Sequence, residues 1–331
     1  MEQERKSLRV GLTVIACALV FRLAGIAPTE WMGKLLATPQ VASALVFLET
    51  GRIVRVGVKP EQKPEETLPQ SPDREQISFR QEDAALVEMS AVCDYPVDVE
   101  AMLATPLSWD LTEDAPKVLI LHSHATEAYT QTEQMAYTPS SLFRTEDCRY
   151  NVVRVGEHLA QLLRAGGIQV IHDTALHDHP DYSGSYAHAR KSTRQYIQEN
   201  PSISLVVDIH RDALDLSSTK QLTTHATVDG KDSAQLMMVV GTDAGGNYHP
   251  NWEENMALAV KLHTLLEKKN PGICRPISFR TQRFNQDLSV GAMLIEVGAA
   301  GDTLEEALVA VEVLAQTILE LSAGVTALST S

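Results

Sequence analysis

The sequence predicts an α/β domain with a largely parallel sheet over residues 116–331, and three observations carry that prediction. Short apolar runs alternate there with amphipathic stretches, Gly, Pro and capping residues punctuate them, and ionisable residues gather where several runs end. Val118–Leu121 reads as a buried strand, and 151–164 as a helix with Val152, Val155, Leu159, Leu162 and Leu163 at 3.6-residue spacing. Gly166 and Gly167 stop that helix and release a second strand at 168–171. A helix over 186–199 ends before Pro201, and 203–209 is the strongest strand pattern in the chain. A strand at 235–241, a helix at 253–268 and a last strand at 292–297 follow. The closing helix opens on a Thr303-x-x-Glu306 capping box and buries Leu304, Leu308, Val311, Ala315 and Ile318.

In sheets of this kind the ligand site lies outside the carboxyl ends of the strands. Three runs finish there with polar groups: His122-Ser123-His124-Ala125-Thr126-Glu127, then Asp208-Ile209-His210-Arg211-Asp212, then Glu296-Val297-Gly298. A catalytic zinc site needs about three protein ligands plus an open position, with a carboxylate near enough to take a proton from water. Two of His122, His124 and Glu127 can come from one loop, His210 completes the set, and Glu296 is the natural general base and acid. Spacing alone leaves open which of them are ligands. Neither Gly-x-Gly-x-x-Gly, nor the phosphate-loop pattern, nor a Gly-x-Ser-x-Gly elbow occurs.

Ahead of this domain the sequence changes character. Arg5, Lys6 and Arg9 precede an apolar stretch from 10 to 27 interrupted by Arg22, so residues 1–30 read as a cytoplasmic N-terminus and transmembrane anchor, a cleaved signal peptide being the alternative. Residues 31–115 read as a membrane-proximal segment and linker. Within them, 59–76 holds Pro60, Pro64, Pro69 and Pro72 among Glu and Gln, the composition of a flexible stalk. The expected location is therefore a single-pass membrane protein with its catalytic domain extracytoplasmic.

The strings LILHSHATEAY (119–129), NVVRVGEHLAQLL (151–163), VIHDTALHDHPDYSGSYAHA (170–189), VVDIHRDA (206–213) and MLIEVGAAGDTLEEA (293–307) resemble the stage II sporulation protein P family. That family is similar to the zinc-dependent N-acetylmuramoyl-L-alanine amidases. The resemblance implies a three-layer amidase-like domain, a zinc cofactor, and a peptidoglycan hydrolase that acts in engulfment with stage II sporulation proteins D and M as partners. It also implies endopeptidase activity on peptide cross-links. By resemblance, His210 is a zinc ligand and Glu296 the catalytic residue. The first-strand ligand stays open between His124 and His122, and the third between Glu127, ranked first, and Glu146 or Asp147. His172, Asp173 and Tyr186 are candidates for lining the substrate groove, and Arg211 for holding a stem-peptide carboxylate or pairing with Asp212. A peptidase acting on stem peptides alone, or a silent wall-binding scaffold, is the alternative function.

The chain carries 28 Lys and Arg against 43 Asp and Glu, a net charge of −15, which argues against nucleic acid as a partner. Its four cysteines, Cys17, Cys93, Cys148 and Cys274, form no C-x-x-C pair, so any metal is expected on N and O ligands. Outside a membrane the same charge would repel an anionic wall, so recognition must come from the groove, the metal, the tether or a partner.

Overall fold

The computed structural model describes residues 77–107, 111, 115–217, 220–322 and 324–329. The expected anchor and the stalk lie outside these residues. Among the described residues no helix is long and apolar enough to cross a membrane.

The strands are β1 (Ile77–Arg80), β2 (Met89–Ala91), β3 (Val118–Leu121), β4 (Val170–His172), β5 (Leu205–Asp212), β6 (Asp215–Ser217), β7 (Lys220–Gln221), β8 (Ala226–Val228), β9 (Lys231–Ser233), β10 (Leu236–Val240), β11 (Ile277–Phe279), β12 (Ala292–Ala299) and β13 (Val325–Ser329). The helices are α1 (Val99–Ala104), α2 (Val152–Ala165), α3 (Ser185–Glu199), α4 (Trp252–Lys269) and α5 (Leu304–Leu321). Seven strands form one sheet in the order β2-β11-β10-β12-β5-β3-β4. Every neighbouring pair is parallel except β10 and β12. The sheet is thus two parallel blocks running in opposite directions, and the carboxyl ends of β3, β5 and β12 share an edge with the amino ends of β10 and β11.

Side chains alternate between the faces of a strand, and this alternation divides the sheet chemically. One face presents Val118, Ile120, Val207, Ile209, Ile295, Val297, Met238, Val240 and Phe279, all in the main core with residues of α2, α4 and α5. The register puts Leu119 and Leu121, Val206, Asp208 and His210, Ala292, Leu294 and Glu296, Met237 and Val239, Ser278 and Ser90 on the other face. Along β5 that face changes from Val206 to Asp208 to His210, and along β12 from Ala292 to Leu294 to Glu296, so it turns ionisable toward the shared edge. α3 packs on its apolar end, where Ala189 meets Leu119, Leu121, Val206 and Ala292.

The helices start and stop where local chemistry dictates. The Asn151 side chain accepts from Val153 N to cap α2, and Gly167 beyond its end adopts φ 88°. Thr303 and Glu306 form the reciprocal capping box of α5.

Two expectations need correction. The structure carries β5 on to Asp212, so His210, Arg211 and Asp212 are strand residues held by backbone pairing rather than loop residues. Within the expected linker 31–115, residues 77–107 are part of the folded body: Phe79 and Leu103 are fully buried in the main core, β2 joins the large sheet, and Lys261 donates to the Met102 carbonyl. Three-residue strands such as β2 and β11 leave no periodic signal in a sequence.

Candidate active site at the sheet edge

His124 leaves β3 in the turn that follows it. Its ring stacks on Tyr182 with centroids 4.7 Å apart, and meets Tyr186 and His210 edge-on, each at 5.3 Å. His210 lies beside Glu296 in the β5–β12 register. Its Nδ1 is 3.5 Å from Glu127 Oε2, and its Nε2 is 2.9 Å from Asp208 Oδ1 but out of line for a hydrogen bond. Asp208 is committed elsewhere, accepting from the Ser123 amide at 2.7 Å and the Ser123 hydroxyl at 2.5 Å.

The electrostatics follow from burial and these neighbours. Burial disfavours the charged form of His210, but Asp208 and Glu127 outweigh it and hold the ring well above the usual histidine range. Burial likewise opposes ionisation of Glu127, yet Arg211 and His210 bring its carboxyl down to about 2. For Glu296 burial prevails: His210 and Arg211 pull its carboxyl down, but desolvation, with Glu127 and Asp212 nearby, pushes it up to about 8. Burial lowers His124.

Three polar atoms in this cluster are buried without a hydrogen-bond partner: His124 Nδ1, His210 Nε2 and Glu296 Oε2. Such atoms are costly to leave unpaired. Among the described residues no three His, Cys, Asp or Glu side chains converge closely enough to hold a metal ion. In kind, however, two facing imidazoles, each with a nitrogen outside any hydrogen bond, beside Glu127 are the N and O donors that suit zinc.

Several candidates have other duties. His122 places Nδ1 3.1 Å from the Ile209 carbonyl and Nε2 2.9 Å from His172 Nε2, while His172 Nδ1 contacts Glu157 Oε2 at 3.0 Å. Both nitrogens of His122 are therefore occupied, and burial lowers its pKa to about 3. His122 is not a free donor, and His172 supports it instead of lining a groove. Gly156 of α2 makes room for the pair, since a Cβ there would lie 2.5 Å from His122 Cε1 and 2.9 Å from His172 Nε2. Asp173 accepts from His177, Ser192 and the Ala175 amide, an internal role. Arg211 is buried; its Nε donates to the Ala128 carbonyl and its Nη2 to the Phe143 carbonyl, so it neither awaits a carboxylate nor pairs with Asp212. Asp212 pairs with Arg275 instead. Glu146 faces His179 and Asp147 is bound to Arg149, so neither replaces Glu127. Tyr186 does belong to the site, against both His124 and His210.

The sequence reading missed Tyr182, Arg144 and Asp178. Asp178 accepts from the Thr126 amide and hydroxyl and from Arg144, fixing the HSHATE turn, while the Arg144 guanidinium lies 4.6 Å from the Tyr182 ring centroid. An aromatic beside Gly and Pro in PDYSGSY was the one available signal for Tyr182.

The fold and this cluster define an α/β protein with imidazoles and carboxyls gathered at the edge of a mostly parallel sheet. Comparison with known proteins gives the family. The model of Stage II sporulation protein P matches residues 51–319, and the chain belongs to that family. It is 31% identical over 206 residues to Stage II sporulation protein P of Bacillus subtilis (strain 168), covering 59% of this chain and 48% of that protein. The chain thus spans about half the length of that curated relative. Among solved structures it is similar to N-acetylmuramoyl-L-alanine amidase AmiC2 of Nostoc punctiforme, at 14% identity and TM-score 0.36, covering 62% of this chain and 96% of that one. A further similar structure is the N-acetylmuramoyl-L-alanine amidase of Clostridium difficile 630, at 14% identity and TM-score 0.37, covering 63% and 97%.

Proposed function

We propose that the chain is a zinc-dependent peptidoglycan hydrolase that cuts the N-acetylmuramoyl-L-alanine amide during engulfment in sporulation. The observation that carries this reading is the trio of buried, unpartnered atoms on His124, His210 and Glu296 at the sheet edge. Family membership supports the sporulation role. His124 and His210 hold the metal in this reading, with Glu127 as third ligand. A bound zinc ion supplies Lewis acidity toward the scissile carbonyl and lowers the pKa of water.

The remaining work falls to the chain's own groups. Glu296 takes the proton from the attacking water and returns it to the leaving amine. Burial favours the protonated carboxyl that donates in the second of these tasks, whereas the neighbouring His210 and Arg211 favour the carboxylate needed for the first. Arg211 and Arg144 fix Glu127 through contacts to its oxygens, so the ligand is oriented before substrate arrives. Tyr186 bounds the site beside both imidazoles and limits where the substrate amide can lie. The membrane anchor at residues 1–30 and the partners D and M complete the proposal: tethered and recruited action offsets weak wall affinity.

Product analysis tests the bond. Free muramic acid ends together with released whole stem peptides support the amidase reading. Split cross-links with peptides still on glycan replace it by an endopeptidase, and wall hydrolysis unchanged by Glu296→Gln overturns the mechanism.

A further inference from the structure

Beyond Glu296, on the same face of the sheet, lies a cavity of about 490 Å³. Its floor is the register ladder of Leu294, Val239, Ser278 and Ser90, and Tyr186 and Phe284 line it from the neighbouring elements, their ring centroids 5.9 Å apart. Where α3 covers the other end of this face, the cavity occupies the β10–β11–β2 end.

Two guanidinium groups line the cavity, one from each end of β11. Arg275, at the catalytic edge, is paired with Asp212 at 2.8 Å. Arg280, just past the far end, is exposed, and its guanidinium makes no hydrogen bond or ion pair among the described residues. It stands apart in this respect from Arg190 and Arg283, both of which pair with Asp287. Arg275 is balanced by Asp212, and Glu296, the other carboxyl of the lining, stands at the catalytic edge, so Arg280 is the guanidinium of the wall with no carboxylate beside it.

Strand geometry sets the reach. Arg280 stands two strands across from Glu296 and four residues along, a Cα separation of roughly 16 Å from strand spacing and rise. An arginine side chain shortens this by several ångströms, so an extended peptide places a group about two to four residues from the scissile amide under the guanidinium. The hydroxyls of Ser90 and Ser278 lie on the same floor and suit the polar backbone of such a peptide.

We infer that this cavity is a peptide subsite in which Arg280 binds a free carboxylate carried two to four residues from the bond that is cut. The inference rests on the hydrolase reading above for the placement of the scissile bond. It makes the amidation state of the stem peptide, and not its length alone, a determinant of recognition.

The test uses two soluble probes: a muramoyl peptide with free carboxylates, and the same compound with each carboxylate converted to a carboxamide. Calorimetric binding to the full chain carrying Glu296→Gln avoids turnover. The expected result is about tenfold tighter binding of the carboxylate probe, the size of one charge-assisted hydrogen bond. Adding Arg280→Gln should erase the preference and adding Arg280→Lys should keep most of it, which separates charge recognition from a packing role. Equal binding of both probes, or a preference that survives Arg280→Gln, overturns the subsite. Cleavage by the otherwise unsubstituted chain is scored separately. If the preference is present and neither probe is cut, the subsite stands and the hydrolase reading falls; if both are cut with equal kcat/KM, the reverse holds.

Discussion

His122 and His124 stand two positions apart on the same turn and have opposite fates. His122 is fully enclosed, with one nitrogen on a backbone carbonyl and the other on His172, which is itself held by Glu157. His124 stacks on Tyr182 and leaves Nδ1 without a hydrogen-bond partner, facing a second imidazole, His210, whose Nε2 lies near Asp208 but also makes no hydrogen bond. The first pair closes on itself and spends its polar capacity on the fold. The second keeps that capacity for something the chain does not provide. What separates a histidine spent on the fold from one open to a ligand here is thus the state of its second nitrogen, not its place in a motif.

Metal analysis separates the two histidines most directly. One zinc per chain is expected for the full protein, none for His210→Ala or His124→Ala, and one again for His122→Ala in whatever fraction folds. Loss of zinc from folded His122→Ala would erase the distinction. Glu296→Gln should lower wall hydrolysis by about 10³-fold, within the range for removing a general acid–base group, while leaving zinc content intact. A fall in both would make Glu296 a ligand.

Smaller effects probe the closed pair. His122→Ala removes a buried ring and leaves the Ile209 carbonyl and His172 Nε2 unpaired, so a loss of about 3 kcal/mol is expected in chemical denaturation. Gly156→Ala gains helix propensity worth under about 1 kcal/mol, but its Cβ meets the two rings at 2.5 to 2.9 Å. Overpacking should win, with a net loss of about 1–2 kcal/mol; a stabilised variant would mean that the pair moves freely.

The remaining expected signal is a slope. Burial raises the folded Glu296 carboxyl from 4.5 to about 8, so over that window the folded chain retains a proton that the unfolded chain has lost. Its contribution to stability is therefore full below about pH 4.5 and declines as pH rises toward 8. In the presence of chelator, Glu296→Gln should flatten that decline, and an unaltered slope would assign it to other groups.

The candidates at the carboxyl edge were legible because β5 and β12 are long and carry His210 and Glu296 in their second halves, against a mostly apolar run. The choice between His122 and His124 was not, since the partners that decide it lie 50 and 87 positions away. Arg211 misled for the same reason: beside a candidate ligand it looked available, whereas its guanidinium is spent on the carbonyls of Ala128 and Phe143. β2 and β11 are too short to show a period, and with them the cavity beneath Arg280 was invisible. The antiparallel turn of β10 against β12, which brings Arg275 to the site, is a property of topology that no local pattern encodes.

Residues 122–151 connect β3 to α2 without a regular helix or a named strand. They are nevertheless fastened at Tyr129 to the Val297 carbonyl, at Thr126 to Asp178, and at Ala128 to Arg211. Such a segment should keep time with the sheet. The amides of Ala128, Thr130 and Thr145, each hydrogen-bonded to backbone, should exchange with deuterium as slowly as those of β5, through global opening and not through local fraying. In the proposed zinc reading, a loop on that clock would surrender the ion only at the rate at which the whole domain opens.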